Sequence, residues 1–186
     1  MEPIRDGELT IRPMRDEVDE YALLVRWRAE PHVREWWDPD LPVPTLEEMV
    51  AGEGPAVRGE DPTTVCIFEI DGRPAGFLQY YRWWPYVREE PSIDVRPAPD
   101  TFGIDIHVGE PDLVNQGLGS RVVDVICSYL EDELGASWIT LTTEVTNHRA
   151  QRAYEKAGFR KVRQVLDTDT RSGERVVCWL MERRRG

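Results

Sequence analysis

Cysteine and histidine are both scarce in this chain, at three residues each among 186. Cys66, Cys127 and Cys178 are far apart and set among Val, Ile and Trp. That pattern predicts buried, reduced thiols rather than a disulfide framework or a Cys/His metal site. No apolar run approaches the roughly 20 residues needed to span a membrane. The amino-terminal Met-Glu-Pro-Ile-Arg-Asp-Gly-Glu has no apolar signal core, so a cytoplasmic location is expected. Bases are outnumbered, 23 against 35 acids, for a net charge of −12. A nucleic-acid ligand is therefore not expected, because phosphate backbones need clustered Lys and Arg. An acidic surface aids solubility and also steers cations.

The remaining composition, 40% hydrophobic and 31% charged, is that of a globular protein, and the length suits one domain over residues 1–186. Residues 8–14 alternate and predict a strand. Residues 16–29 carry apolar side chains at helical spacing, with Asp16 as N-cap and Pro31 as stop. Thr45-Leu-Glu-Glu48 predicts a capping box opening a short helix. Residues 63–70 and 74–81 predict strands joined by an Asp71-Gly72 hairpin turn. Residues 85–100 hold several prolines and acids and predict a long irregular loop. Then come strand 101–108, helix 117–134, strand 137–143, helix 147–157, and strands 159–166 and 174–182. The fold class expected is α/β, with a mixed central β-sheet flanked by helices.

The most informative stretch runs from Gly103 to Arg121: a strand bearing Asp105, a turn Asn115-Gln-Gly-Leu-Gly-Ser120, then a helix start. Backbone N–H groups at a helix start can cradle a pyrophosphate, and Gly117 and Gly119 allow close approach. A tight strand-to-helix turn with no ligand fits the same residues. Together with Asn147-x-Arg-Ala-x-x-Ala-Tyr-Glu-Lys-x-Gly-Phe159, this stretch resembles the cofactor core of the GCN5-related N-acetyltransferases. Val114 stands where that superfamily has Gln or Arg ahead of its Gly-x-Gly.

The resemblance tightens with His32-Val-Arg-Glu-Trp-Trp37, Gly76-Phe-Leu-Gln-Tyr-Tyr81, Gly103-Ile-Asp-Ile-His-Val-Gly-Glu-Pro-Asp112 and Cys178-Trp-Leu-Met-Glu182. In order and spacing these are similar to the aminoglycoside 6′-N-acetyltransferases over nearly the whole chain. The resemblance implies a single-domain N-acetyltransferase fold and acetyl-CoA as cosubstrate, with no metal. It implies an aminoglycoside or similar polycationic amine as partner, no membrane, and a monomer or homodimer. Asp105 would bind the reacting ammonium and help remove its proton, and Tyr154 would serve the departing thiolate. None of the cysteines lies in these motifs, so direct transfer in a ternary complex is expected.

Acetyl-CoA would be held by Ile106, His107 and Val108 of the strand, by Asn115, Gln116, Gly117, Leu118, Gly119 and Ser120 of the turn, and by Asn147, Tyr154 and Lys156. The amine substrate would meet Trp36, Trp37, Tyr80, Trp83, Glu89, Asp94, Asp100, Asp105 and Glu144, with Trp84 and Glu90 in the same stretch. Aromatic faces suit sugar rings and carboxylates suit ammonium groups. Core packing for the tryptophans and plain solvation for the acids are the competing readings.

Two positions depart from the 6′-acetyltransferase pattern: Thr142-Thr143 replaces Asp-Pro, and Ile106 replaces the Gln after the strand Asp. Lysine-type siderophore acylases are the nearest alternative. They usually carry a catalytic His at the strand position that Asp105 holds here; His107, two residues on, shares that face by strand alternation. A non-catalytic acyl-CoA-binding domain is a second alternative.

Overall fold

The computed structural model describes residues 1–37, 39–83, 98–168, 173 and 175–185. Trp84, Glu89, Glu90 and Asp94, and most of the expected 85–100 loop, lie outside the described residues. Among the described residues eight strands form one sheet, in the order β1 (Ile4–Asp6), β2 (Leu9–Pro13), β3 (Thr64–Ile70), β4 (Arg73–Arg82), β5 (Thr101–Val108), β6 (Trp138–Glu144), β8 (Arg175–Arg184), β7 (Arg160–Thr168). With its helices this is the expected mixed α/β fold. By packing, the chain divides into two units, Met1–Tyr80 with Asp105–Val122, and Tyr81–Ile104 with Val123–Gly186.

The first unit is built on an antiparallel meander. Strands β1 (Ile4–Asp6) and β2 (Leu9–Pro13) are paired, and β2 pairs in turn with β3 (Thr64–Ile70). Strand β4 (Arg73–Arg82) follows across the Asp71-Gly72 turn. Both turn residues have positive φ, 50° and 78°, as a two-residue turn matched to the strand twist requires. Three helices follow β2: α1 (Val18–Ala29), α2 (Pro31–Arg34) and α3 (Leu46–Val57). Pro31 does end α1, but it also opens α2, where its fixed φ and missing N–H cost nothing.

Asp16 does not cap α1. The N-cap is Glu17, which makes no side-chain capping bond, and Asp16 instead accepts from the Tyr21 hydroxyl at 2.7 Å. The capping box at α3 forms as expected: Glu48 N–H donates to Thr45 Oγ1 at 3.2 Å, and Thr45 N–H donates to Glu48 Oε2 at 2.8 Å. Tyr21, Leu24 and Trp27 of α1, Met49 of α3, and Val65, Ile67 and Phe77 of the sheet close the core of this unit.

In the second unit, the first half of β5 (Thr101–Val108) pairs in parallel with β6 (Trp138–Glu144). A parallel pair needs a crossover, and α4 (Leu118–Asp132) supplies it. Strand β8 (Arg175–Arg184) runs antiparallel to β6, and β7 (Arg160–Thr168) antiparallel to β8. Helix α5 (His148–Lys156) joins β6 to β7. Arg183 ties β8 to α4 through Glu131 at 2.9 Å and Asp124 at 2.7 Å.

All three cysteines are free and buried. Burial pushes the thiols of Cys66 and Cys178 up to about 12 and raises Cys127 as well, which leaves all three inert at neutral pH. Among the described residues no group of His, Cys, Asp and Glu is placed to hold a metal ion. No described helix is long and apolar enough to cross a membrane.

Gly109, just past β5, sits under the indole of Trp27, and a Cβ there would overlap that ring. Gly109→Ala should therefore destabilise the protein by about 1–3 kcal/mol, the usual range for overpacking a core. Gly52 lies inside α3 with nothing within 4 Å of its would-be Cβ. Gly52→Ala should instead stabilise by about 0.5–1 kcal/mol. Urea denaturation of both variants checks the pair, and equal effects would discount the Trp27 contact.

Candidate active site

The site residues of the first unit start on β5. Phe77 and Gln79 of β4 each meet a β5 side chain. Phe77 stacks on His107 with ring centroids 5.2 Å apart. Gln79 Nε2 donates to Asp105 Oδ2 at 2.8 Å. Asp105 and His107 thus share a face, as alternation predicts. Asp105 is half-buried, and the amide of Gln79 orients its carboxylate.

His107 is enclosed. Trp37 meets its ring edge-on at 4.5 Å and Trp27 at 6.2 Å. Both ring nitrogens are buried with no hydrogen-bond partner among the described residues. Burial, with the positive Arg28 and His32 nearby, holds its pKa well below the usual 6.5. A neutral, walled-in imidazole is not a base within reach of a substrate, which removes the main support for the siderophore alternative. His32 anchors α2 to the end of β5, its Nε2 donating to the Val108 carbonyl at 2.9 Å.

The aromatic residues divide. Trp37 packs against the core and carries the Arg28 guanidinium 3.9 Å over its ring, while Trp36 is half-buried beside it at the end of α2. Tyr80 is only 6% exposed and donates to Met1 Sδ at 3.4 Å. It points to the opposite face of β4 from Gln79, so the structure does not bring it to Asp105.

Past β5 the chain turns into α4. Asn115 and Gly117 have positive φ, 63° and 82°, a conformation Asn and Gly tolerate best. Ser120 Oγ donates to the Gly117 carbonyl at 2.8 Å, and Gln116 Nε2 donates to the Asp112 carbonyl. A Cβ on Gly117 would meet nothing within 4 Å, and one on Gly119 only Val108 at 3.9 Å. A side chain at either glycine would thus find room, and Leu118 between them is buried.

Glu110, which the motifs leave without a role, is a heavily bonded buried carboxylate beside the turn. It is 5% exposed. It accepts from Trp27 Nε1 at 2.8 Å, Arg73 Nη2 at 2.8 Å and both terminal nitrogens of Arg26. Burial alone would raise its pKa, but these donors outweigh burial and hold it at about 2. Arg73 also grips Asp112 with two bonds, of 2.9 and 3.1 Å.

In the second unit Tyr154 lies on α5, 8% exposed, its ring 5.8 Å from Phe159. Asn147 caps α5, accepting from Ala150 N–H at 3.0 Å, so its side chain is committed to the helix start. Lys156 is exposed and Glu144 half-buried. Where the 6′-acetyltransferase pattern has an acid, the Thr142 hydroxyl donates to Asp167 at 2.6 Å, a carboxylate the sequence reading missed. Trp83 is 7% exposed, stacks on Tyr81 at 6.0 Å and packs with Val165, Cys178 and Leu180, which makes it a core residue. Asp100 is half-buried, and its carbonyl accepts from Ser137.

The family model of the acetyltransferase (GNAT) domain matches residues 16–166, most of the chain. The chain belongs to the GNAT acetyltransferase family. This GNAT chain is 29% identical over 171 residues to the aminoglycoside N(6′)-acetyltransferase type 1 of Klebsiella pneumoniae, covering 88% of this chain and 80% of that one. Among solved structures it resembles AAC(6′)-Ib in complex with paromomycin and acetyl-CoA, at a TM-score of 0.78 and 27% identity over 96% of this chain and 94% of the other. The same enzyme with coenzyme A and kanamycin aligns at a TM-score of 0.75 and 28% identity over 95% of each chain.

The depressed pKa of His107 has a measurable consequence. The folded state keeps the ring neutral, whereas the unfolded chain takes up a proton near pH 6.5. The stabilisation is thus present above that value and lost as pH falls below it. Between pH 7.5 and 5.5 the parent should lose stability, on the order of 1 kcal/mol, that His107→Phe does not, His32 and Arg28 being common to both. Urea titrations at the two pH values test this, and identical losses would mean His107 is charged in the fold.

Proposed function

We propose that this protein transfers an acetyl group from acetyl-CoA to the 6′-amino group of an aminoglycoside. The observation that carries the reading is Asp105: a carboxylate on β5, oriented by Gln79, a few residues ahead of an open glycine turn. Such an amine is mostly protonated at neutral pH. Asp105 binds the ammonium and takes its proton, so that the nitrogen lone pair becomes available. Acetyl-CoA supplies an activated thioester carbonyl for that nitrogen to attack. The N–H groups of the 115–120 turn hold the pyrophosphate, and the resemblance gives Tyr154 the proton donated to the departing thiolate.

The net charge of −12 favours a polycationic substrate. Acylation of a siderophore lysine would call on His107, which the aromatic enclosure keeps from a substrate. We read residues 1–186 as one functional domain, working in the cytoplasm where acetyl-CoA is at hand, as a monomer or homodimer.

Thiol release with acetyl-CoA and kanamycin tests the reading directly. Asp105→Asn should lower kcat by about 10²-fold or more, the range for losing a general base, with the acetyl-CoA KM nearly unchanged. Turnover near that of the parent would remove Asp105 from the mechanism.

The turn makes a separate demand. Gly117→Val and Gly119→Val should raise the acetyl-CoA KM steeply, because a side chain keeps the backbone from the pyrophosphate. At φ 82° the first variant is also strained. Stability loss in both variants with an unchanged KM would leave only a structural turn.

A further inference from the structure

Glu110 does more than fill a buried position. It joins three separate pieces of the first unit. Arg26 and Trp27 belong to α1, and Arg73 opens β4. Its own backbone N–H, with that of Gly109, donates to the Ala75 carbonyl at 3.2 and 2.9 Å. Arg73 then carries the connection forward. The same Nη2 that bonds Glu110 also bonds Asp112, and Nη1 bonds Asp112 a second time. Asp112 in turn accepts from Gln116 through its main-chain carbonyl. An unbroken line of bonds runs from α1 through Glu110, Arg73 and Asp112 to the residue before Gly117. Asn115, Gln116 and Gly117 are exposed, so the turn is held by buried Leu118, by Ser120 on the Gly117 carbonyl and, through Gln116, by the segment that precedes it.

We propose that Glu110 is a positioning residue for the acyl donor: through Arg73 and Asp112 it fixes the 111–117 segment so that the N–H groups at the start of α4 converge on the pyrophosphate. This rests on the acetyl-CoA reading above. Acetyl donors that lack the pyrophosphate do not engage the turn, so they separate positioning from general loss of fold. The donor pair is acetyl-CoA and S-acetylpantetheine, which share the thioester and the pantetheine arm.

The test measures kcat and KM of the parent, Glu110→Gln and Arg73→Gln with both donors against kanamycin, and CoA affinity by calorimetry. Arg73 is 55% exposed, so its variant keeps the fold even if Glu110→Gln does not. In both variants the acetyl-CoA KM should rise about 10-fold while kcat at saturation stays within about 2-fold. The kcat/KM for S-acetylpantetheine should change less than 2-fold. Arg73→Lys, which keeps one charged donor, should recover part of the loss.

Equal losses with the two donors, or an unchanged acetyl-CoA KM in Arg73→Gln, would overturn the positioning role. If the parent binds CoA and acetylates kanamycin while the variants match it, only this inference fails. If the parent neither binds CoA nor releases thiol, the acetyltransferase reading fails and takes this inference with it.

Discussion

The carboxylate of Glu110 is the constraint around which the first unit is arranged. Moving a charge out of water costs several kcal/mol unless strong donors replace the solvent. Arg26, Trp27 and Arg73 do so, and each is held in a particular place as a result. Trp27 must present its indole N–H to the carboxylate, which lays its ring over Gly109 and leaves no room for a Cβ there. With Trp27 fixed, α1 lies against β4 and β5, and the same ring becomes part of the wall around His107. Exposed pairs are screened by solvent and contribute little, whereas stripping one partner from a buried pair costs about 3–5 kcal/mol. Glu110 shares this burial with Glu20 and Glu182, which are likewise closed over by arginines.

The acidic surplus is unevenly available. Glu20 is bound by Arg12 and Arg15, Asp6 and Glu8 by Arg121, and Glu131 and Asp124 by Arg183. These carboxylates are partly cancelled by their own guanidinium partners. Net charge therefore describes the long-range field better than it identifies the groups that hold a substrate. Asp105 accepts a hydrogen bond from the Gln79 amide, which orients the carboxylate that binding an ammonium requires.

Local features were legible in the sequence. Asp71-Gly72 specifies a turn because both residues accept positive φ, and Thr45 with Glu48 closes a box within one helical turn. Strand β1 was not legible: Ile4-Arg5-Asp6 is too short to show alternation and takes its pairing from β2. Pro31 was read as a stop although the same φ that ends one helix begins another. The aromatic residues were hardest to place. Trp83 and Tyr80 are as apolar as a sugar-binding surface would need, and only packing shows them turned into the protein. Asn147 fits both a ligand contact and a helix cap, and the structure gives it the cap. Glu110 could not be singled out, because its partners stand 84 and 37 residues away in the chain. Asp167, 25 residues from Thr142, was hidden for the same reason.

Asp105 and His107 show how a site is separated from a core at the smallest spacing a strand permits. Two residues apart, they project from the same face of β5 about 6–7 Å from each other. Both are titratable, and either could serve as a base if judged by residue type. Their fates are decided by β4, where Gln79 lies against one and Phe77 against the other. An amide donates to the carboxylate, while stacked and edge-on rings exclude water and hold an imidazole neutral. Trp37 reinforces the division by closing over His107 from the end of α2, where Trp36 adjoins it. A single strand thus presents a charged group at one position and a dry aromatic floor at the next on the same face.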